Sequence, residues 1–315
     1  MAERRLILLA LVLVGASAAF LLWNLRGPTG FILGLRATKL AALLLVGCAV
    51  GMATVLFQTV AQNRLLTPGI VGFDALFVTL QTALVLGLGG LGVAQLPPLA
   101  TFLAEVALLV VAAQVLFGLL LRRGAGDLIR MILTGVILGV MLRGLAGLMQ
   151  RLLDPSEFAV VQQAMFASFG AVDRGLLAIA AALLGVAALA ALRLAPRLDV
   201  AGLGRVRART LGLDHDRVVN QSLMLVSVLV AVSTALVGPV TFLGLIAASL
   251  GHAMMQTYRH AVLLPAAGMT GALFLVAGQF LFERVLGMQS TLAVLIEFLG
   301  GLLFLALILK RKGRT

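Results

Sequence analysis

Carboxylate side chains in apolar segments are the residues of this chain whose types and positions could do chemistry. Asp74, Glu105 and Glu297 lie in or beside long apolar runs, where an ionisable group is costly and often functional. Such groups carry protons or ions in some transport proteins. Each glutamate could instead pair with an arginine such as Arg36 or Arg284. Asp74 could instead cap the helix that it begins.

Enzyme motifs are missing from the sequence. The three histidines, His215, His252 and His260, show no HExxH or carboxylate-histidine spacing, and neither a G-x-S-x-G elbow nor a Walker A lysine motif is present. Cys48 is the single cysteine, so no disulfide or cysteine-based metal site is expected within the chain. The sequence therefore predicts a chain that is not an enzyme, with no cofactor and no metal site.

The composition indicates which elements must position these residues. The chain is 62% hydrophobic and 11% charged, whereas soluble domains are about 45–50% apolar and about 25% charged. Its apolar runs reach the length of about 20 residues that a helix needs to cross a bilayer. They lack the alternation of a membrane β-barrel. We therefore predict an all-α, polytopic membrane protein.

Charge and turn residues divide the chain into about ten transmembrane helices. The candidate spans are 6–23, 38–60, 72–90, 99–121, 128–149, 175–194, 218–238, 243–256, 262–282 and 291–309, of which 243–256 is short enough for a half-helix. Most of the 24 Lys and Arg residues fall on the inner side when both termini are cytoplasmic. The net charge of +12 therefore indicates orientation among membrane lipids, and no nucleic acid partner is expected.

Two loops and two chain breaks interrupt this pattern. Residues 150–174 should lie outside as a short interfacial or partly re-entrant helix, and the basic residues 193–217 should face the cytoplasm. Gly238-Pro239 and Thr67-Pro68-Gly69 each end a helix. Irregular backbone at membrane depth requires a cavity or surrounding protein, so both breaks could line a substrate path, although close helix packing also explains such small residues.

Three stretches resemble the permease subunits of type II ABC importers for iron-siderophore complexes, haem and cobalamin. They are LRATKLAALLLVGCAVGMATVLFQTVAQNRLLTPGIVGFD, ARTLGLDHDRVVNQSLMLVSVLVAVSTALVGPVTFLGLI and RHAVLLPAAGMTGALFLVAGQFLFER. The likeness extends over nearly the whole chain, which implies a single transmembrane permease domain over residues 1–315 in the bacterial inner membrane. It further implies two permeases around a central path, an ATPase dimer beneath them and a periplasmic or lipid-anchored substrate-binding protein outside.

The resemblance also implies roles for individual residues. The ATPase would dock on Arg207, Arg209, Thr210, Leu211, Gly212, Leu213, Asp214 and His215, within the loop 193–217. The binding protein would dock on Arg36, Lys39 and Arg284, for which anchoring by lipid headgroups is the alternative. The candidates for the substrate path are Gln58, Gln62, Phe73, Asp74, Phe166, Ser168 and Phe169.

Departures from the family pattern bear on the partner and the substrate. Gly72-Phe73-Asp74-Ala75-Leu76 stands where the family usually has Gly-Val-Ser-Asn-Gly-Ala, a variant similar to iron-chelate permeases that work beside a second, different permease. A heterodimer is therefore favoured over a homodimer. Phe73, Phe166 and Phe169 could form aromatic walls for a flat ligand, or could simply pack between helices. A ferric siderophore is the expected substrate, with haem or cobalamin, or an ion-coupled secondary transporter, as the alternatives.

Overall fold

The computed structural model describes residues 2–24, 28–124, 128–170, 172–285, 287 and 295–302. Within these ranges the regular structure is entirely helical. The helices are α1 (Ala2–Leu22), α2 (Thr29–Val60), α3 (Asp74–Gln95), α4 (Pro98–Gly124), α5 (Leu128–Gln150), α6 (Pro155–Ala164), α7 (Arg174–Ala201), α8 (Arg205–Thr210), α9 (His215–Val237), α10 (Leu243–Met255), α11 (His260–Phe280) and α12 (295–302). The predicted all-α class is confirmed.

Eight of the described helices are long and apolar enough to cross a membrane: α1, α2, α3, α4, α5, α7, α9 and α11. The predicted short span is the 13-residue α10. The predicted span 291–309 is described only at 295–302. The remainder of that span lies outside the described residues. The chain is a multi-pass membrane protein.

The central helix of the bundle is α2. Of its most apolar 18-residue window, 72% is buried, against 11% for α1, whose Ile7 and Leu11 point outward as lipid-facing side chains do. Small residues let α2 and α11 approach closely. A Cβ on Gly47 would lie 2.5 Å from Ala272 Cα, and one on Gly51 would lie 2.7 Å from the Ala267 carbonyl carbon. The two backbones are therefore in direct contact.

Two predicted boundaries differ from the structure. Helix α2 begins at Thr29 rather than near residue 38, because the Arg36 side chain turns inward and does not mark the end of a helix. Helix α7 continues to Ala201, so the first nine residues of the predicted loop 193–217 belong to this helix. Leu194, Leu198 and Ala201 are buried at helical spacing along this extension, and that packing carries the helix past Pro196. The remaining connection, residues 202–214, is called the elbow below.

Side-chain contacts mark the two ends of the bundle, which are named inner and outer after the predicted orientation. At the inner end, Arg5 donates a hydrogen bond of 2.7 Å to the Met254 carbonyl at the end of α10. At the outer end, the rings of Trp23 and Phe280 meet edge to face with their centroids 5.4 Å apart. The predicted outer helix is α6, which begins with a capping box between Asp154 and Glu157.

Candidate functional site

Both predicted chain breaks come together beside α5. A π-helical turn, Gly69–Phe73, leads into α3, and its Gly72 adopts φ 114°. A Cβ on Gly72 would lie 3.4 Å from Gly139 Cα, so the turn lies directly against the middle of α5. The second break, between α9 and α10, supplies Thr241 to the same region, because its hydroxyl lies beside the carboxylate of Asp74.

Four polar residues form a cluster at this junction: Asp74, Arg143, Thr241 and Glu297. Arg143 of α5 and Glu297 of α12 are each close enough to Asp74 to interact with its charge. Thr241 precedes the 13 residues of α10, which reach the inner end after about 20 Å at 1.5 Å per residue. The cluster therefore lies deep within a hydrocarbon layer of about 30 Å.

The Asp74 carboxylate faces the interior of this cluster. Its Oδ2 atom is buried without a hydrogen-bond partner, and it lies over Gly69, where a Cβ would be 2.6 Å away. Thr241, a residue of the other chain break, lies beside this carboxylate, and no described hydrogen bond joins the carboxylate to an N–H group of α3. The described contacts thus show no capping hydrogen bond from Asp74, and its role in the substrate path stays a prediction.

Arg143 is the polar residue of this cluster that sequence reasoning overlooked. It lies within the apolar span Leu133–Gln150, and its side chain is exposed on the surface of the chain. A guanidinium at that depth is not stable against lipid, so this face of α5 must border water or another protein. An isolated arginine inside an apolar run is itself a functional signal, and it could have been recognised from the sequence.

The segment 166–169 packs on the second break. Ser168 donates its backbone N–H to the Val237 carbonyl at 2.7 Å, and a Cβ on Gly238 would lie 3.0 Å from Ala167 Cα. Phe166 is 42% exposed and Ser168 is also exposed, whereas Phe169 is 4% exposed. Phe166 and Ser168 are therefore available to a ligand, and Phe169 fits the packing alternative.

The remaining path candidates stabilise the turn after α2. Gln58 is buried and donates to the Arg64 carbonyl at 2.6 Å. Gln62 is exposed at φ 52° and donates to the Thr59 carbonyl at 2.7 Å. Phe73 is fully buried in the core and contacts the hydrophobic cluster around α2, so it too fits the packing alternative.

Arginine pairing, one alternative for Glu105, is absent from the described residues. Glu105 Oε1 is buried on α4 without a hydrogen-bond partner. The Arg36 guanidinium is instead 7% exposed and donates to the Leu21 and Trp23 carbonyls at 2.8 Å each, so it caps the C-terminal end of α1. Arg36 is therefore buried and not part of an exposed outer rim.

The other two predicted outer docking residues differ in their surroundings. Lys39 forms an ion pair with Glu283, whose Oε1 also accepts a hydrogen bond of 2.7 Å from Gln279. Arg284 follows Glu283 in the π-helical turn Leu281–Val285 and is exposed. Only Arg284 of the three is a free surface charge among the described residues. Glu283, which orients Lys39, was not predicted as a site residue.

The elbow contains a tightly defined turn at the end of α8. The Leu213 N–H bonds the Ala208 carbonyl at 3.0 Å, and the Gly212 N–H bonds the Arg209 carbonyl at 2.9 Å. With Gly212 at φ 80°, this is a Schellman motif. Asp214 then caps α9 by accepting a hydrogen bond of 3.1 Å from the Arg217 N–H. The elbow is thus ordered by its own backbone.

The elbow presents apolar and charged groups outward. Val206 is 78% exposed and Leu211 is 65% exposed, while Ala208 is buried against the bundle. Arg205 and Arg209 both donate to Asp216, at 3.1 and 2.6 Å. The predicted docking residues Arg207, Arg209, Thr210, Leu211, Gly212 and Asp214 are exposed, and Leu213 and His215 are partly buried. An exposed apolar patch with a charged rim is typical of a protein contact.

Comparisons with known proteins agree with this architecture. The model of the FecCD transport family matches residues 5–310. The chain is 37% identical to the petrobactin import system permease protein YclO of Bacillus subtilis over 302 residues, covering 96% of this chain and 95% of that one. It is 31% identical to the petrobactin import system permease protein FatC of Bacillus anthracis over 278 residues, covering 88% and 78%.

More distant relatives share the same architecture. The hemin transport system permease protein HmuU of Yersinia pestis is 25% identical over 284 residues, covering 89% of this chain and 83% of that one. A solved metal-chelate type ABC transporter in an inward-facing conformation matches with a TM-score of 0.79 at 21% identity, covering 98% and 100%. The protein is an ABC transporter permease by fold. It belongs to the FecCD transport family.

Proposed function

We propose that this chain is a permease subunit of an ATP-driven importer that carries a ferric siderophore across the bacterial inner membrane. The elbow is the observation that carries the proposal, because it offers an ordered, exposed apolar contact at the inner end of the bundle. An ATPase dimer would dock there and supply the energy, while the permease itself does no catalysis. Two relatives named for petrobactin import support a siderophore as the substrate over haem or cobalamin.

An ion-coupled transporter is the second candidate function. The proximity of Asp74 and Glu297 inside the bundle favours it, because paired carboxylates can carry protons. The energy source separates the two candidates. In cells fed iron-55 bound to petrobactin, we expect uptake to stop when ATP is depleted with the proton gradient intact. Uptake that continues under those conditions, or without the ATPase, would support ion coupling instead.

The partner permease is proposed to be a different chain. The replacement at Gly72-Phe73-Asp74 supports this, since it resembles permeases that work in unlike pairs. The exposed Arg143 also supports a neighbour, because its face of α5 must border water or protein. Purification of the tagged chain from its native membrane, followed by mass spectrometry, should recover a second permease in equal amount. Recovery of this chain alone with the ATPase would contradict the heterodimer.

Arg143 is proposed to act in the substrate path. A ferric siderophore with several ionised oxygens is an anion, and an arginine near midplane lowers the electrostatic cost of its passage. We predict that Arg143→Gln reduces uptake about five- to tenfold, a loss of about 1–1.5 kcal/mol. The measurement is the initial rate of uptake at equal amounts of protein. Arg151→Gln, an exposed arginine just past α5, is the matched control and should retain uptake. Equal rates in both variants would contradict the path role.

Arg284 is proposed to dock the substrate-binding protein. Exposed rim charges mainly steer association, and their effect weakens in salt. We predict that Arg284→Glu slows association of the binding protein about tenfold at low salt and much less at high salt. Surface plasmon resonance with the permease complex in nanodiscs measures this rate. The control variant Arg151→Glu makes the same charge change at another exposed arginine of the outer end. A salt-independent effect, or the same effect in both variants, would assign the role to another residue.

A further inference from the structure

A partly buried chain of hydrogen bonds joins three helices at the inner end of the bundle. The His260 ring at the start of α11 bonds Asp199 of α7 through Nδ1, with 2.6 Å between Nδ1 and Oδ1. Its Nε2 lies 2.7 Å from the hydroxyl of Thr59 near the end of α2. The His260 backbone N–H also donates to the same Asp199 oxygen at 2.7 Å. His260 lies in the stretch RHAVLLPAAGMTGALFLVAGQFLFER that carries the family resemblance, but no role was predicted for it.

The arrangement holds His260 in one orientation. Its side chain is 8% exposed, and both ring nitrogens have protein partners. The Thr59 hydroxyl is fixed as well, because it also bonds the Val55 carbonyl at 2.9 Å. A side chain tied at both ring nitrogens and at its own backbone cannot change rotamer without breaking a buried hydrogen bond, which is costly.

The hydrogen-bond chain begins beside the elbow. Asp199 lies in the last turn of α7, six residues before α8 begins at Arg205. A Cβ on Gly202, the first residue of the elbow, would lie 3.9 Å from His260 Cε1, so the ring lies next to the start of the elbow. A displacement of the elbow would therefore act on His260 directly.

The hydrogen-bond chain ends on α2, the central and most buried of the described spans. Thr59 belongs to α2, whose backbone contacts α11 at Gly47 and Gly51. Helix α2 extends to the outer end, where Lys39 pairs with Glu283 just after α11. The two helices are thus joined at the inner end by His260, along their length by small residues, and at the outer end by an ion pair.

We propose that His260 is a positioning residue that transmits movement of the ATPase dock to the α2 and α11 pair. This inference rests on the proposed function, because it assigns the elbow to an ATPase. Asp199 links His260 to the elbow, and Thr59 links His260 to the central helix α2. Movement of the elbow then shifts two helices that run the height of the bundle as one body, since packed helices move as rigid units between discrete arrangements.

The test compares variants that keep or remove single hydrogen bonds in the complete importer, reconstituted in proteoliposomes with ferric petrobactin as the probe. Thr59→Val removes the hydroxyl at nearly constant shape, and Thr59→Ser restores it. We expect Thr59→Val and Asp199→Ala each to lower the number of chelates moved per ATP at least about fivefold. Thr59→Ser should stay near the wild-type ratio. The double variant should move nearly as many chelates per ATP as either single variant, because both substitutions break the same series of hydrogen bonds.

The ratio separates coupling from simple structural support. Damage to folding alone would lower ATP hydrolysis and uptake in the same proportion and leave chelates per ATP unchanged. An unchanged number of chelates per ATP in the variants, including Thr59→Val, would overturn the role of His260. The proposed function would still stand in that case, because it rests on transport by the wild-type complex. A wild-type complex that shows no ATP-dependent uptake would overturn the proposed function, and the coupling role with it.

Discussion

Gly212→Val is expected to abolish most ATP-driven uptake while the protein remains folded in the membrane. Gly212 adopts φ 80°, a conformation that costs a residue with a Cβ roughly 1–2 kcal/mol. No atom lies within 4 Å of a Cβ there, so the substitution strains the Schellman motif without a clash in the bundle. The elbow should lose its fixed shape, and uptake should fall at least about tenfold, as a loss of 1.4 kcal/mol would give.

Two variants control this experiment. Gly212→Asn should be milder, because asparagine tolerates the left-handed conformation better than valine. Gly185→Val adds the same side chain to α7 at a position where a Cβ meets nothing within 4 Å and φ is ordinary, so it should keep uptake. Uptake is measured as iron-55 accumulation at equal membrane content, judged by immunoblot. Wild-type uptake in Gly212→Val would remove the elbow from the coupling mechanism.

Gly51→Val is expected to prevent assembly of the folded bundle. A Cβ at this position would overlap the Ala267 carbonyl, with its carbon 2.7 Å and the Gly268 nitrogen 3.1 Å away. These are backbone atoms of α11 and cannot rotate aside. Overpacking typically costs about 1–3 kcal/mol, and here the central helix would have to separate from its main neighbour. We predict a large loss of folded protein.

The measurement is the yield and thermal midpoint of detergent-solubilised protein, followed by fluorescence-detected size exclusion. Gly185→Val is again the matched control, since it places the same side chain in a helix interior with open space. It should elute as the wild type does. A Gly51→Val protein of normal yield and midpoint would mean that α2 and α11 are not packed as described.

Fold and topology were largely predictable from this sequence, because they follow from local patterns. Apolar runs define the spans, and the broken runs at Thr67-Pro68-Gly69 and Gly238-Pro239 are breaks in the structure too. The capped helix α6 within residues 150–174 was expected from its mixed composition. Helix ends were predicted less well: the extension of α7 past Pro196 depends on burial against other helices, which a single sequence does not reveal.

Site residues were harder to predict, because their roles depend on which helices meet. Asp74 and Glu297 are separated by more than 200 positions, yet the fold brings them together beside Arg143. Arg36 resembles an outer rim charge in sequence, but the carbonyls of α1 hold it inside. The partners of His260 could not be predicted, since Asp199 and Thr59 reach it from two other helices. Such contacts are tertiary and leave no periodic signal.

Transport by the purified complex tests the central claim most directly. The chain would be purified with its partner permease and ATPase, reconstituted in proteoliposomes, and supplied with the binding protein and ferric petrobactin carrying iron-55. We predict accumulation of iron that requires ATP on the ATPase side and stops when the ATPase is inactivated by mutation. Accumulation driven by a proton gradient without ATP, or no accumulation with any ferric chelate while a different cargo is imported, would contradict the account.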